Sequence, residues 1–320
     1  MHFGRGKQRH TLRSENLSLV PTELDLTVSS TSEAAGRPNN EDAILVAPLP
    51  DGGASDDRGY VLAVADGMGG LERGEVASKL AIDLLADLFA RERPSDVALA
   101  LKQAYRRAND AIYKQAAENP EQGQMGTTLV SAVVHGKYVT IANVGDSRAY
   151  LMRANQMTQI TQDHSLVADQ VTQGKLSEAD ARKSPQRNIL THALGSAPQL
   201  DRKLPSIYEL TLLPEDRLLL CSDGFFDVMQ SEDYLRVLRD ADSGDPARQL
   251  SALAQERGTT DNVSAIVLAV SPSLATVQRA QIGTEIAAQQ GSRFGAILLP
   301  ALVLLIVIIA IAVGVFFYLM

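Results

Sequence analysis

The chain has 320 residues, 45% of them hydrophobic and 21% charged, with a formal net charge of -8. That length supports a sizeable core in one large domain or two smaller ones, and the acidic balance excludes a nucleic-acid footprint, which needs a basic face. The single cysteine, Cys221, excludes an intrachain disulfide; within the apolar run Leu218 to Cys221 it reads as a small buried hydrophobe in a strand.

Residues 1–19 are polar and basic (Arg5, Lys7, Arg9, Arg13) with no apolar stretch of a secretory signal, and are expected to be a loose tail. Strand material follows at Leu24 to Val28, then a polar loop from Ser29 to Asp42, then a strand from Ala43 to Ala47. A turn rich in Asp and Gly, Asp51 to Gly59, predicts a hairpin into the run Tyr60 to Ala65. That run is too short and too β-branched for a helix, and it stops at Asp66-Gly67-Met68-Gly69-Gly70, so Asp66 is expected at the strand's mouth.

Apolar residues at helical spacing predict amphipathic helices over 72–92 and from about 97 to 118, the second capped by Ser95 or Asp96. Strands at 127–135, 137–144, 148–153 and 156–161, joined by short turns, read as an antiparallel meander. A helical excursion over 165–182, with a break at Gly174, reads as a surface flap. Strands at 206–212 and 216–222, helices at 231–239 and 245–257 and a last strand at 263–270 complete one layered α+β domain over residues 20–271.

Six carboxylates, Glu41, Asp42, Asp66, Asp146, Asp223 and Asp261, fall at the ends of predicted strands beside Gly, Asn or Ser. If strand-end loops gather at one face, these groups repel one another unless cations are present, and an all-oxygen donor set without Cys or His favours Mg²⁺ or Mn²⁺ over zinc. Two such ions about 3.5–4 Å apart can share a carboxylate and activate water as hydroxide for in-line attack on phosphorus, with no side-chain nucleophile. Arg37, close to Glu41 in sequence, offers the planar cation that grips phosphoryl oxygens.

The ordered set Arg37…Asn40-Glu41-Asp42, Ala65-Asp66-Gly67-Met68-Gly69-Gly70, Gly126-Thr127-Thr128, Asn143-Val144-Gly145-Asp146-Ser147-Arg148, Asp163-His164-Ser165, Leu190-Thr191-His192-Ala193-Leu194-Gly195, Ser222-Asp223-Gly224 and Asp261-Asn262 resembles the PPM (type 2C) family of bacterial metal-dependent Ser/Thr protein phosphatases. The resemblance implies a four-layer α-β-β-α sandwich of two antiparallel sheets flanked by helices, with a binuclear Mn²⁺ or Mg²⁺ site at one end. It implies Asp66 as the bridging ligand, and Glu41 or Asp42, the Gly67 carbonyl, Asp223 and Asp261 completing the two ions directly or through water. It implies a third ion, as in bacterial members, held by Asp146 with Asp223. Arg37 becomes the phosphate clamp, Ser165 to Pro185 the flap that shapes access, and phosphorylated proteins the substrates, opposite a Ser/Thr kinase in signalling.

Two positions depart from the family's pattern. Met68 stands where animal members carry a histidine proposed as general acid, and a thioether donates no proton, so no general acid is assigned. His192 stands where Arg is commoner and reads as a structural variant, while His164 reads as a framework residue. A phosphatase-like binding module and a partner-recognising membrane protein are the rival readings; retention of every carboxylate argues against the first.

Gly295 to Met320 carries no charged residue. As a helix it spans about 39 Å against a hydrocarbon core about 30 Å thick, so residues 294–320 are expected to cross a membrane. Arg279 and Arg293 precede that span, which places the catalytic domain on the cytoplasmic side of a single-pass protein. Residues 272–293, mixing Ser, Gln, Ala and Thr, read as a tether.

Overall fold

Strand β1 (Leu24–Glu33) forms one edge of a sheet continued by β11 (Val263–Pro272), β10 (Arg217–Cys221), β7 (Arg148–Arg153) and β8 (Gln156–Gln159). A second antiparallel sheet runs β2 (Asp42–Pro48), β3 (Gly59–Gly69), β5 (Leu129–His135), β6 (Tyr138–Val144) and β9 (Ser206–Thr211), with β4 (Met125–Thr127) pairing to β3 off that path. These elements come from a computed structural model that describes residues 24–50, 59–69, 73–90, 93–118, 120–239 and 244–273. Within it Leu24–Pro272 form one compact unit.

The continuous apolar run of β3 is explained by burial on both faces. Leu62 and Val64 point into the space between the sheets, with Val130, Ile141, Leu218, Leu220, Ile266 and Leu268. Val61, Ala63 and Ala65 point the other way, against helices α1 (Arg73–Phe89) and α2 (Val97–Glu118). On the outer face of the first sheet, Leu219, Cys221, Val263, Ala265 and Val267 meet α6 (Ser231–Arg239) and α7 (Pro246–Glu256). The layers therefore run α-β-β-α. Each fully buried Leu, Ile or Val contributes about 1.5–3 kcal/mol.

Local chemistry ends the helices where expected. Asp96 Oδ1 accepts from the Leu99 N–H at 2.8 Å to cap α2. Asp245 caps α7, whose first turn holds Pro246. The Tyr105 hydroxyl, fully buried, donates to the Ala142 carbonyl at 2.8 Å and so pins α2 to the second sheet. Cys221 is buried, as its setting implied.

The structure corrects four expectations. The polar stretch after Val28 is not yet loop: β1 continues to Glu33 because each residue pairs with β11 in a register running from Leu24↔Pro272 to Glu33↔Val263. The expected meander divides, since β5 and β6 lie in one sheet while β7 and β8 lie in the other, the chain crossing at Gly145-Asp146-Ser147. The expected single strand at 127–135 breaks at Thr128 into β4 and β5. Asp66 is not at a strand's mouth, because β3 runs on to Gly69 and exchanges β5 for β4 as its partner beyond Val64.

The excursion after Ser165 holds two short helices, α3 (Leu166–Thr172) and α4 (Glu178–Ala181), separated around Gly174 at φ +69°. Among the described residues no helix is long and apolar enough to cross a membrane. The expected span at 294–320 and the tail at 1–19 lie outside the described residues, as does the tether beyond Ser273.

Candidate metal centre

One end of the sandwich collects the starts of β2 and β11 and the ends of β3, β6 and β10, and with them every carboxylate singled out in the sequence. Asp42 stands directly across from Asp66 in the β2–β3 register. Asp223 opens the short helix α5 (Asp223–Phe226) immediately after β10 and shares a hydrogen bond with Asp66. Asp146 occupies the β6–β7 crossing, and Asp261 the turn into β11.

The Asp66 backbone is held on both sides by the two threonines of the Gly126-Thr127-Thr128 motif. Its N–H donates to Thr128 Oγ1 at 3.0 Å, and its carbonyl accepts from Thr127 Oγ1 and the Thr128 N–H, both at 2.9 Å. Thr128 Oγ1 in turn lies 2.7 Å from Ser147 Oγ, beside Asp146. The interruption between β4 and β5 at Thr128 is what allows this grip. Its only sequence signal was the Gly-Thr-Thr motif itself.

Glu41 lies one residue before β2. Its N–H donates to Asn262 Oδ1 at 2.8 Å, and its carbonyl accepts from the Gly67 N–H at 3.1 Å and the Ser78 hydroxyl at 2.6 Å. Its carboxylate accepts from the Gly74 N–H in the first turn of α1, where the helix dipole favours negative charge. A side chain on Gly67 or Gly74 would collide with the other's backbone, so two glycines are needed for strand and helix to approach this closely. Asn262 also donates to the carbonyls of Ala34 at 3.0 Å and Asn39 at 2.9 Å, tying the β1–β2 loop to the turn before β11.

Arg37, in that loop, donates to Asp261 Oδ2 at 2.7 Å. Its side chain remains 54% exposed, so the guanidinium is accessible to a ligand. Behind Asp146, Arg148 grips Asp163 through Nε at 2.9 Å and Nη2 at 2.6 Å while lying 3.5 Å above the Phe226 ring. His164 Nδ1 accepts from the Gly145 N–H at 3.1 Å, leaving Nε2–H for Ser206 Oγ at 3.1 Å. It is a framework residue, kept neutral by burial and by neighbouring His192. His192 is half-buried, and its ring contacts the Thr191 hydroxyl.

The electrostatics are those of an overcrowded acidic site. Burial, with help from Asp223 and Asp261 and against hydrogen bonds from Ser264 and Ser222, pushes the Asp42 carboxyl up to about 7. Burial and Asp223 push Asp146 up to about 8; burial and Asp261 push Asp223 up to about 6. Asp66 is driven well above the ordinary carboxylate range, first by burial and then by Asp223, Asp42 and Asp146. Four carboxyls placed so that they do not readily all ionise together have the electrostatics that bound cations would relieve.

One further observation fits metal. Asp42 Oδ2 accepts from Ser222 Oγ at 2.8 Å, whereas its Oδ1 is buried without any hydrogen-bond partner. An orphaned carboxylate oxygen inside the acidic cluster has the hard-oxygen chemistry that a divalent cation takes as a ligand. Among the described residues no three His, Cys, Asp or Glu side chains form a ready-made cage around one point. Mg²⁺-like ions do not require one, since they keep several waters and take one or two carboxylates each.

Residues 26–170 match the family described as Protein phosphatase 2C. Over 231 residues the chain is 36% identical to the serine/threonine protein phosphatase PstP of Mycobacterium tuberculosis, which covers 72% of this chain and 42% of that protein. It thus spans less than half the length of that relative. To the serine/threonine phosphatase stp of Listeria welshimeri it is 34% identical over 217 residues, 66% of this chain and 85% of the relative. The solved catalytic domain of PstP in complex with two manganese ions superposes with a TM-score of 0.66 at 34% identity, covering 78% of this chain and 99% of that one.

Proposed function

We propose that this chain, which belongs to the protein phosphatase 2C family, hydrolyses phosphoserine and phosphothreonine on proteins with Mn²⁺ or Mg²⁺ as cofactor. The observation that carries the reading is the set of buried carboxyls around Asp66, each made proton-hungry by burial and by the others, with one oxygen of Asp42 left unpartnered.

In this reading Asp66 would be the ligand common to two ions, with Glu41 or Asp42, the Gly67 carbonyl, Asp223 and Asp261 completing them, and Asp146 with Asp223 would hold a third. Divalent ions bound there lower the pKa of water and neutralise phosphoryl oxygens. The chain's own contribution is position. Thr127 and Thr128 fix the Asp66 backbone, and Ser222 turns Asp42 inward from the opposite sheet.

Arg37, exposed at the rim and already oriented by Asp261, clamps the substrate phosphate in a planar grip that lysine cannot reproduce. Met68 supplies no proton, and the buried Cys221 thiol, pushed up to about 12 mainly by burial, supplies no nucleophile. In this reading the nucleophile is water, and hydrolysis passes through no phosphoenzyme. The expected result is Mn²⁺-dependent release of phosphate from a phosphothreonine peptide and from p-nitrophenyl phosphate, abolished by chelator. Metal-independent turnover, or none with Mn²⁺, would overturn the reading.

We assign residues 20–271 to the catalytic domain, 1–19 to a tail, 272–293 to a tether and 294–320 to a single membrane span that keeps the domain cytoplasmic, near a Ser/Thr kinase whose phosphorylation it reverses. The support is the charge-free stretch from Gly295 to Met320, preceded by Arg279 and Arg293. Deleting residues 294–320 is expected to move the protein from the membrane to the soluble fraction with turnover within about twofold of the full chain, since every residue assigned to the site lies within Leu24–Pro272. Retention in the membrane after the deletion would contradict the assignment.

A further inference from the structure

Strand β2 is an edge of its sheet, and that edge opens on a groove of about 390 Å³ walled by Asp42 to Leu45 of β2 and by Glu75, Lys79, Ile82 and Asp83 of α1. The bonds from the Gly67 N–H to the Glu41 carbonyl (3.1 Å) and from the Leu49 N–H to the Gly59 carbonyl (2.9 Å) bracket the β2–β3 ladder. Bonded and non-bonded pairs alternate in an antiparallel ladder. Ala43, Leu45 and Ala47 therefore face β3, and Ile44 and Val46 turn their N–H and C=O groups outward.

The same outward row is closed at both ends. The Asp42 N–H is taken by Asn40 Oδ1 at 3.2 Å, and Pro48 has no N–H to offer. Between them, among the described residues, no strand or loop pairs with Ile44 or Val46. An edge capped at each end and open for two alternate residues presents a short template for one added strand.

Two features identify what would lie there. The groove begins beside the metal centre: its first lining residues, Asn40 and Asp42, flank Glu41 in sequence, and Asp42 pairs with Asp66. Its helix wall carries Glu75 and Asp83, and its one lysine, Lys79, lies 3.2 Å from Asp83, leaving an acidic balance. We propose that an extended, basic segment of the phosphoprotein substrate adds to β2 as a strand, its main chain bonding Ile44 and Val46 while its phosphorylated residue sits at the metal centre.

The inference rests on the phosphatase reading and names how that site holds its substrate. Strand residues advance about 3.3 Å each, so the contacts fall about two and four residues from the phosphorylated one. Main-chain recognition of this kind accepts many sequences while fixing their path.

The test uses the full chain with Mn²⁺ and a basic phosphothreonine peptide whose backbone amides are N-methylated one at a time, its side chains unchanged. A rise in KM of about tenfold at alternate amides on one side of the phosphothreonine, with kcat unchanged, is expected for loss of one backbone hydrogen bond. Val46→Pro, which removes an outward donor at an exposed edge position, is expected to raise KM for the unmethylated peptide by a similar factor and to leave p-nitrophenyl phosphate hydrolysis unaltered. A flat methylation scan on the unaltered protein overturns the proposal, and so does an unchanged KM in a Val46→Pro variant that still hydrolyses p-nitrophenyl phosphate. Absence of p-nitrophenyl phosphate hydrolysis in the unaltered protein sinks the phosphatase reading instead.

Discussion

Asp66→Asn is expected to lower kcat by roughly 10³–10⁴-fold while leaving the metal-free protein as stable as the parent or more so. The two halves of that result have one cause. The Asp66 carboxyl is buried and driven well above the ordinary carboxylate range by burial, Asp223, Asp42 and Asp146. Replacing it with a neutral amide of the same shape relieves the repulsion, and the backbone bonds from Thr127 and Thr128 do not depend on the side chain. In the proposed reading the same replacement removes the charge that two cations would share. A merely structural role for Asp66 predicts the opposite pair, destabilisation with activity roughly in proportion to folded protein. Thermal melts of the metal-free proteins beside peptide turnover with Mn²⁺ separate the two.

The second large effect is the pH dependence of metal-free stability. Asp42, Asp146 and Asp223 have folded-state values of about 7, 8 and 6, all above the ordinary carboxylate value of 3.8. The folded state therefore holds protons that the unfolded chain releases. Their contribution to stability is present below the unfolded values and is lost as pH rises from about 4 through 8. Metal-free protein should melt lower at pH 8 than at pH 5. For a domain of this size a loss of only about 3 kcal/mol corresponds to roughly 6–12 °C in Tm. Saturating Mn²⁺ restores the difference at pH 8, because cations replace protons as the neutralising charge, and changes little at pH 5, where protons compete for the same oxygens. Equal Mn²⁺ stabilisation at both pH values would contradict this picture.

The elements were legible where one period dominates. The stripe Leu80, Leu84, Leu88 with Ile82, Leu85 and Phe89 announces α1, and the burial of β11 on both faces, between β10 and β1, follows from its continuous apolar run. The partition of strands between sheets was not legible, because Gly145-Asp146-Ser147 reads as a tight turn whichever sheet receives β7. Nor was the continuation of β3 through Gly67 and Gly69. Glycine suggests a turn, but here the absence of a side chain lets β3 pack against α1, and the ladder to β4 overrides local propensity.

Within the site, the carboxylates stood out by type and by their place at element ends. The groups that hold them did not. Ser222, Asn262 and Thr128 are ordinary polar residues until the fold brings them from 180, 221 and 62 positions away onto Asp42, Glu41 and Asp66. Long-range hydrogen bonds of this kind leave no period in a sequence. Short motifs such as Gly-Thr-Thr and Asp-Asn are their only trace.

The central claim is that the buried carboxyls at the end of the sandwich exchange protons for at least two divalent ions. Calorimetric titration of Mn²⁺ into the metal-free full chain at pH 6.5, repeated in two buffers of different ionisation enthalpy, counts both. The account predicts two or more Mn²⁺ ions per chain with net proton release, and both the tightest binding and the release lost in Asp66→Asn. Binding without proton release, or an unchanged titration in Asp66→Asn, would contradict it.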